Sequence, residues 1–236
     1  EGRGCAVISA GNSGAFMATG ILTARRANAC DRPAIAACIP TGDRPTVLTD
    51  VGANVDCRAV HLVQFAVMGA TYHSLKFGTV RPTVGLLANG TESTKGTDVL
   101  REAHRLLNHT DLNYIGFVES RELPNGCADV VVADGLVGNI ALKLCEGMVT
   151  ALLGRIRNAI RSHWASSLVS PVLKKPLNDL HRELDWENVG GAPLLGLNHI
   201  AVVAHGNASA AAIANCIARA REYADLNLHS AIDEAL

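Results

Sequence analysis

The chain has 236 residues, 48% of them hydrophobic but only 4% aromatic, with 22 glycines; it can bury a sizeable core of Ala, Val, Leu and Ile, as suits helices packed closely on a parallel sheet. A net charge of −1 and a pI near 6.8 exclude a global electrostatic footprint for nucleic acid. Seven cysteines, odd in number and without a Cys-x-x-Cys pair, signal neither a disulfide framework nor a zinc site. No run of eighteen or more apolar residues is present, so the expectation is a cytoplasmic protein with reduced thiols and at most a surface attachment to membrane.

The first predicted strand, Cys5 to Ser9, empties into Ala10-Gly11-Asn12-Ser13-Gly14. Small residues there let a ligand approach the backbone, and Asn12 or Ser13 can cap the helix beginning near Ala15. The free N–H groups of that helix form a phosphate cradle in outline, although a tight strand-to-helix turn has the same pattern. Strands follow at Ala34 to Ile39 and Thr46 to Asp50. The second runs into a polar bend, Val51 to Cys57, before a long helix from about Arg58 to Phe77. Asp50 and Asn54 at that strand exit either bind substrate or satisfy local backbone groups.

The stretch Pro82 to Gly96 reads as a buried strand, with Val84, Leu86 and Leu87 its apolar run, breaking into a loop that carries Glu92 and Lys95. In an open α/β sheet such loops line the ligand crevice, so Lys95 is expected to point its charge into a cleft. A helix, Thr97 to Asn108, precedes strands near Asn113 to Val118 and Asp129 to Ala133. The turn Asp134 to Asn139 then opens a helix from Ile140 to about Ser162, with Asn139 at its N-terminus as a cap or a donor to an oxyanion.

Between Trp164 and Trp186 the texture changes. Leu173, Leu177, Leu180 and Leu184 keep helical spacing, while Pro171 and Pro176 interrupt it, which predicts a broken helical hairpin. Leu168, Val169 and Val172, with Lys174 and Lys175 beside them, suit a membrane surface. A glycine-rich stretch, Gly190 to Gly196, leads to a strand at His199 to Ala204, the turn at His205, and a closing helix from Ala208 to Leu228.

Taken in order, SAGNSGA, DVGANVDC, the TE-S-T-KG loop, DGLVGN, GGAPLLG and HGNA resemble the bacterial phosphate acyltransferase of phospholipid synthesis over essentially the whole chain. The resemblance implies a three-layer α/β sandwich with a mostly parallel sheet, like phosphate acetyltransferases and isocitrate-dehydrogenase-like enzymes. It also implies a single catalytic domain over 1–236, N-terminally incomplete because the family's opening Asp-x-Met-Gly-Gly-Asp motif is absent, with a helical hairpin inserted at about 164–186. The family's Lys-Ser before His-Gly is here Val203-Ala204.

The implied reaction moves a fatty acyl group from acyl carrier protein to inorganic phosphate, without cofactor or metal, in a homodimer that touches the membrane. Lys95 and Asn139 are then the expected catalytic groups. Gly11, Asn12, Ser13, Gly14, Asp50, Asn54, Glu92, Asp134 and His205 are the expected substrate and phosphate contacts. Two other classes compete: an NAD-linked decarboxylating dehydrogenase of the same fold, and a non-catalytic carrier-protein or membrane-binding module.

Overall fold

In the computed structural model, which describes residues 4–41, 44–162, 166–184 and 190–236, the short apolar runs pair into one eight-stranded sheet. Its strands are β1 (Ala6–Ser9), β2 (Ala34–Ile39), β3 (Thr46–Thr49), β4 (Thr83–Ala88), β5 (Asn113–Glu119), β6 (Val130–Val132), β7 (Ala192–Leu195) and β8 (Ile200–Val203). They lie side by side in the order β1-β8-β7-β2-β3-β6-β4-β5. The neighbours β1 and β8, β3 and β6, β6 and β4, and β4 and β5 run parallel. β2 is antiparallel to β3 and to β7, and β7 is antiparallel to β8. The sheet is therefore mixed and mostly parallel. The reversals in its middle make β3, β4, β5 and β6 finish at one edge, the upper one, whereas β1 and β8 finish at the opposite, lower edge.

Among the described residues seven α-helices cover the two faces: α1 (Ser13–Ala24), α2 (Ala59–Phe77), α3 (Asp98–Leu107), α4 (Gly135–Ser162), α5 (Ser166–Glu183), α6 (Ala210–Asp225) and α7 (Leu228–Ala235). Alternation along the strands divides the core between those faces. Ala36, Cys38, Val130 and Val132 pack under Phe65 of α2, Leu107 of α3, Tyr223 of α6 and Ile232 of α7. Ile35, Ala37, Leu48 and Val131 turn the other way, toward Phe16 and Met17 of α1 and Ala141 of α4. The result is the expected three-layer α/β sandwich.

Side-chain caps fix several helix starts. Asn12, Thr97 and Ser209 accept the N–H groups of Ala15, Leu100 and Ala212, which places the first turns of α1, α3 and α6 where short polar residues can compete for the backbone.

Four expectations are corrected. α4 begins at Gly135, five residues before the predicted start. The closing helix is two helices, broken at Leu226 and Asn227, where Asn227 turns left-handed at φ 50. Gly190 to Gly196 is not only a leader, because it contains β7. Finally, α5 continues through Pro171 and Pro176, so the hairpin is α4 against α5 rather than a broken pair within 164–186. Trp164 and Trp186 lie outside the described residues, as do the side chains of Leu168, Val169 and Val172.

Along α5, Leu173, Leu177 and Leu184 are half-buried and Leu180 is exposed. α4 is long and apolar enough between Gly135 and Ile160 to cross a membrane by length and composition, which no unbroken apolar run had signalled. Its inner side packs on the sheet through Ala141 and Leu142. Its outer side exposes Val137, Ile140, Leu144, Met148 and Leu152.

Candidate functional site

At the lower edge, β1 delivers the chain into the small-residue turn. Ser9 Oγ accepts the N–H of Gly11 at 3.2 Å, and Asn12 Oδ1 accepts that of Ala15 at 3.0 Å. The adjacent β8 ends in step with it: Ala204 donates its N–H to the Ser9 carbonyl at 2.8 Å. Parallel pairing thus sets His205 and Gly206 beside Gly11, Asn12, Ser13 and Gly14. The start of α1 leaves N–H groups without helical acceptors, as any helix start does, and these favour an anion. His205 is exposed, and its Nδ1 accepts the Asn207 N–H at 3.2 Å.

The upper edge is built differently. Asp50 is wholly buried, and its carboxylate accepts the N–H groups of Ile35 at 2.9 Å, Ala53 at 3.1 Å and Asn54 at 2.6 Å, together with the Asn54 amide at 2.9 Å. Burial pushes its carboxyl up, against the pull of those donors. Asn54 is 2% exposed, and its Nδ2 also donates to the Pro33 carbonyl at 2.8 Å. Both residues thus hold the strand exit together, the local backbone role that the sequence offered beside substrate contact.

Asp134 Oδ1 accepts the N–H groups of Leu136 at 3.0 Å and Val137 at 2.8 Å. It fills the capping role that the sequence offered Asn139 beside that of an oxyanion donor. Asn139 lies in the second turn of α4, close beside Gly52. In the loop after β4, Asn89 Oδ1 accepts the Gly96 N–H at 3.0 Å, and Lys95 Nζ stands 4.0 Å from Glu92 Oε2 with both side chains exposed.

Two groups emerge where one cleft was expected. Asp50, Asn54, Glu92, Lys95, Asp134 and Asn139 belong to the upper edge, and Gly11 to Gly14 with His205 to the lower. β2 crosses between the edges in six residues, roughly 20 Å of extended chain. Motif order could not disclose this, because the separation arises from the antiparallel β2 and β7.

A further residue joins the lower group unannounced. Glu146, on α4, is half-buried near His205; burial pushes its carboxyl up, while the charges of His205 and Lys143 hold it down. Its signal in the sequence was an acid set inside the apolar run IALKLCEGMV.

The family model described as fatty acid synthesis protein matches residues 1–231. A phosphate acyltransferase of Citrifermentans bemidjiense is 45% identical across 100% of this chain, which covers 67% of that protein. One from a Geobacillus species is 46% identical, again over the whole chain and 72% of its own length. Among solved structures, a Staphylococcus aureus EutD phosphotransacetylase superposes with a TM-score of 0.58 at 17% identity, over 100% of this chain and 64% of its own. A Streptococcus pyogenes phosphotransacetylase gives 0.60 at 16%, over 99% and 64%. These likenesses show the fold alone, and the chain spans about two thirds of the first curated relatives' length. With its family model matched from residue 1 to residue 231 and relatives at 45–46% identity over its full length, the chain belongs to the fatty acid synthesis protein family, among the phosphate acyltransferases.

Proposed function

We propose that the chain transfers a fatty acyl group from acyl carrier protein to inorganic phosphate, yielding acyl phosphate and free carrier for phospholipid synthesis. The observation that carries this reading is kinship: relatives 45–46% identical over the whole chain bear the name phosphate acyltransferase. The chemistry asks mainly for positioning and oxyanion stabilisation, because a thioester is already activated and phosphate is a competent nucleophile. Burial pushes the Cys30 and Cys57 thiols up to about 11, which keeps them protonated at neutral pH and favours direct attack by phosphate over an acyl-enzyme.

Incubation of the chain with acyl carrier thioester and phosphate, with acyl phosphate trapped by hydroxylamine, tests the reading. Product is expected. Carrier binding without turnover would mean a binding module, and nicotinamide reduction with a hydroxy acid would mean a dehydrogenase.

Lys95 and Asn139 stand at the upper edge, where in one chain they serve capture of the anionic carrier. Lys95→Ala is expected to raise the KM for acylated carrier about tenfold, or about 1.4 kcal/mol, with kcat nearly unchanged. Steady-state kinetics at fixed phosphate decide it, and a collapse of kcat would return Lys95 to the reaction centre.

The outer face of α4 supports homodimerisation. Five large apolar side chains lie exposed along it from Val137 to Leu152, a stripe suited to a second copy at a standard interface of about 800 Å² per partner. Leu144→Asp is expected to give a monomer by light scattering, and a retained dimer would move the interface elsewhere. The middle of α5, with Lys174 and Lys175 exposed, is left for contact with anionic lipid, consistent with a cytoplasmic, membrane-associated enzyme.

A further inference from the structure

We propose that Gly90 is the positioning residue of Lys95: the side chain it lacks is the space across which the lysine stem is laid. This rests on the phosphate acyltransferase reading and adds a residue to its upper-edge loop. β4 ends at Ala88, and the chain turns at once through Asn89 and Gly90. It comes back pinned on both sides of Lys95, whose own N–H donates to the Glu92 carbonyl at 2.9 Å, while the next residue, Gly96, donates its N–H to Asn89 Oδ1 at 3.0 Å. The lysine backbone is thereby fixed against the turn that Gly90 forms.

Gly90 is buried although Glu92 and Lys95 are exposed, and those two side chains are what covers it. A Cβ on Gly90 would stand 2.9 Å from Lys95 Cγ, 3.2 Å from Lys95 Cδ and 2.8 Å from Glu92 Oε2. The two carbon distances fall short of the about 3.5–4.0 Å at which carbon atoms rest against each other. The stem of the lysine therefore crosses the bare Cα, and Nζ emerges 4.0 Å from Glu92 Oε2. Backbone conformation does not ask for glycine here, because Gly90 lies outside the left-handed region that Gly96 occupies at φ 81. Space alone asks for it.

An exposed lysine on its flexible four-carbon stem is ordinarily spread over many rotamers. Resting the stem on Gly90 narrows that spread before the acylated carrier arrives, so less ordering is left to binding or to the reaction. The atoms that an added methyl group would meet belong to two exposed, movable side chains and not to backbone, so the fold absorbs it while the amine loses its place. Position and stability are separable at this residue.

Gly90→Ala, Lys95→Ala and the double variant, assayed in the 236-residue chain with acyl carrier thioester and phosphate, are the test. Gly90→Ala is expected to alter the same kinetic parameter as Lys95→Ala, in the same direction and by about threefold, half on a logarithmic scale of the tenfold expected for losing the amine outright. In the Lys95→Ala background it should add nothing, since residues that act through one contact are not additive, whereas a merely structural glycine would keep its separate effect. In a Glu92→Ala background the change should persist, because the lysine stem is still displaced. The urea midpoint of Gly90→Ala should match that of the wild type. With an active wild type, this inference alone is overturned by unchanged kinetics in Gly90→Ala or in Lys95→Ala, by a change in a different parameter, by full additivity with Lys95→Ala, by an effect that vanishes with Glu92, or by a fallen midpoint. A wild-type chain that makes no acyl phosphate overturns the parent reading and this inference with it.

Discussion

Asp50→Ala is expected to cost the fold about 3 kcal/mol or more, since each buried donor left without its acceptor costs about 1–3 kcal/mol. Four donors converge on this carboxylate from three residues: Ile35, Ala53 and Asn54 by their N–H groups, and Asn54 again by its side-chain amide. Alanine leaves the buried N–H groups of Ile35 and Asn54 facing a cavity rather than an acceptor. The damage is not local, since Ile35 belongs to β2 and the Asn54 carbonyl accepts the Gly135 N–H at the head of α4. A domain is typically stable by about 5–15 kcal/mol, so the variant should unfold at markedly lower urea concentration or fail to accumulate. Chemical denaturation checks it. A midpoint within experimental error of the wild type would mean that the donors find water, and that Asp50 is free for the substrate role its position suggested.

That network also explains what the sequence could and could not reveal. Seven of the eight strands were legible from apolar runs between turn residues, to within a residue or so at each end, because burial on both faces demands continuous Val, Ile, Leu and Ala. β7 escaped because it is four residues long, contains Pro193, and sits between Gly191 and Gly196, whose backbones are both at positive φ. The early start of α4 escaped for a related reason. Gly135 and Gly138 look like turn residues, yet they are helical and small because the Asp50 turn lies against them: a Cβ on Gly135 would come within 2.7 Å of the Asn54 carbonyl oxygen. A glycine demanded by packing and one demanded by a turn are the same letter.

The strand exits that carry the candidate residues were legible, and their division between two edges was not. The edge each occupies depends on the direction of its strand, which is set by pairing partners far away in sequence. Of the two roles the sequence offers Asn139, the cap is filled instead by Asp134, five residues earlier, because short polar residues on either side of a glycine-rich turn look alike as helix starts.

Acid is expected to destabilise the fold through two buried imidazoles. His73 is wholly buried and His61 is 2% exposed; burial lowers both below the usual imidazole range, with Arg58 and Arg32 adding to the effect at His61 and Arg44 at His73. Asp31 and Asp129 pull the other way without overcoming it. The geometry agrees at His61, whose Nδ1 accepts the Arg58 N–H at 3.1 Å and would meet that donor with a proton of its own if charged. A depressed folded pKa means that the unfolded chain takes up protons first. The contribution is therefore present above about pH 6.5, the ordinary imidazole value, and is lost as pH falls through the folded values, at up to about 1.4 kcal/mol per pH unit for each ring. The Asp50 and Glu146 carboxyls, both raised, act in the opposite sense, so the wild-type slope alone is not diagnostic. Comparing His73→Leu with the wild type by urea denaturation at pH 7.5 and 5.5 cancels them. The variant is expected to lose about 1 kcal/mol less than the wild type between those two conditions. An equal loss in both proteins would mean that His73 takes up its proton in the folded state, with Asp129, 3.8 Å from its Nε2, as the partner that allows it.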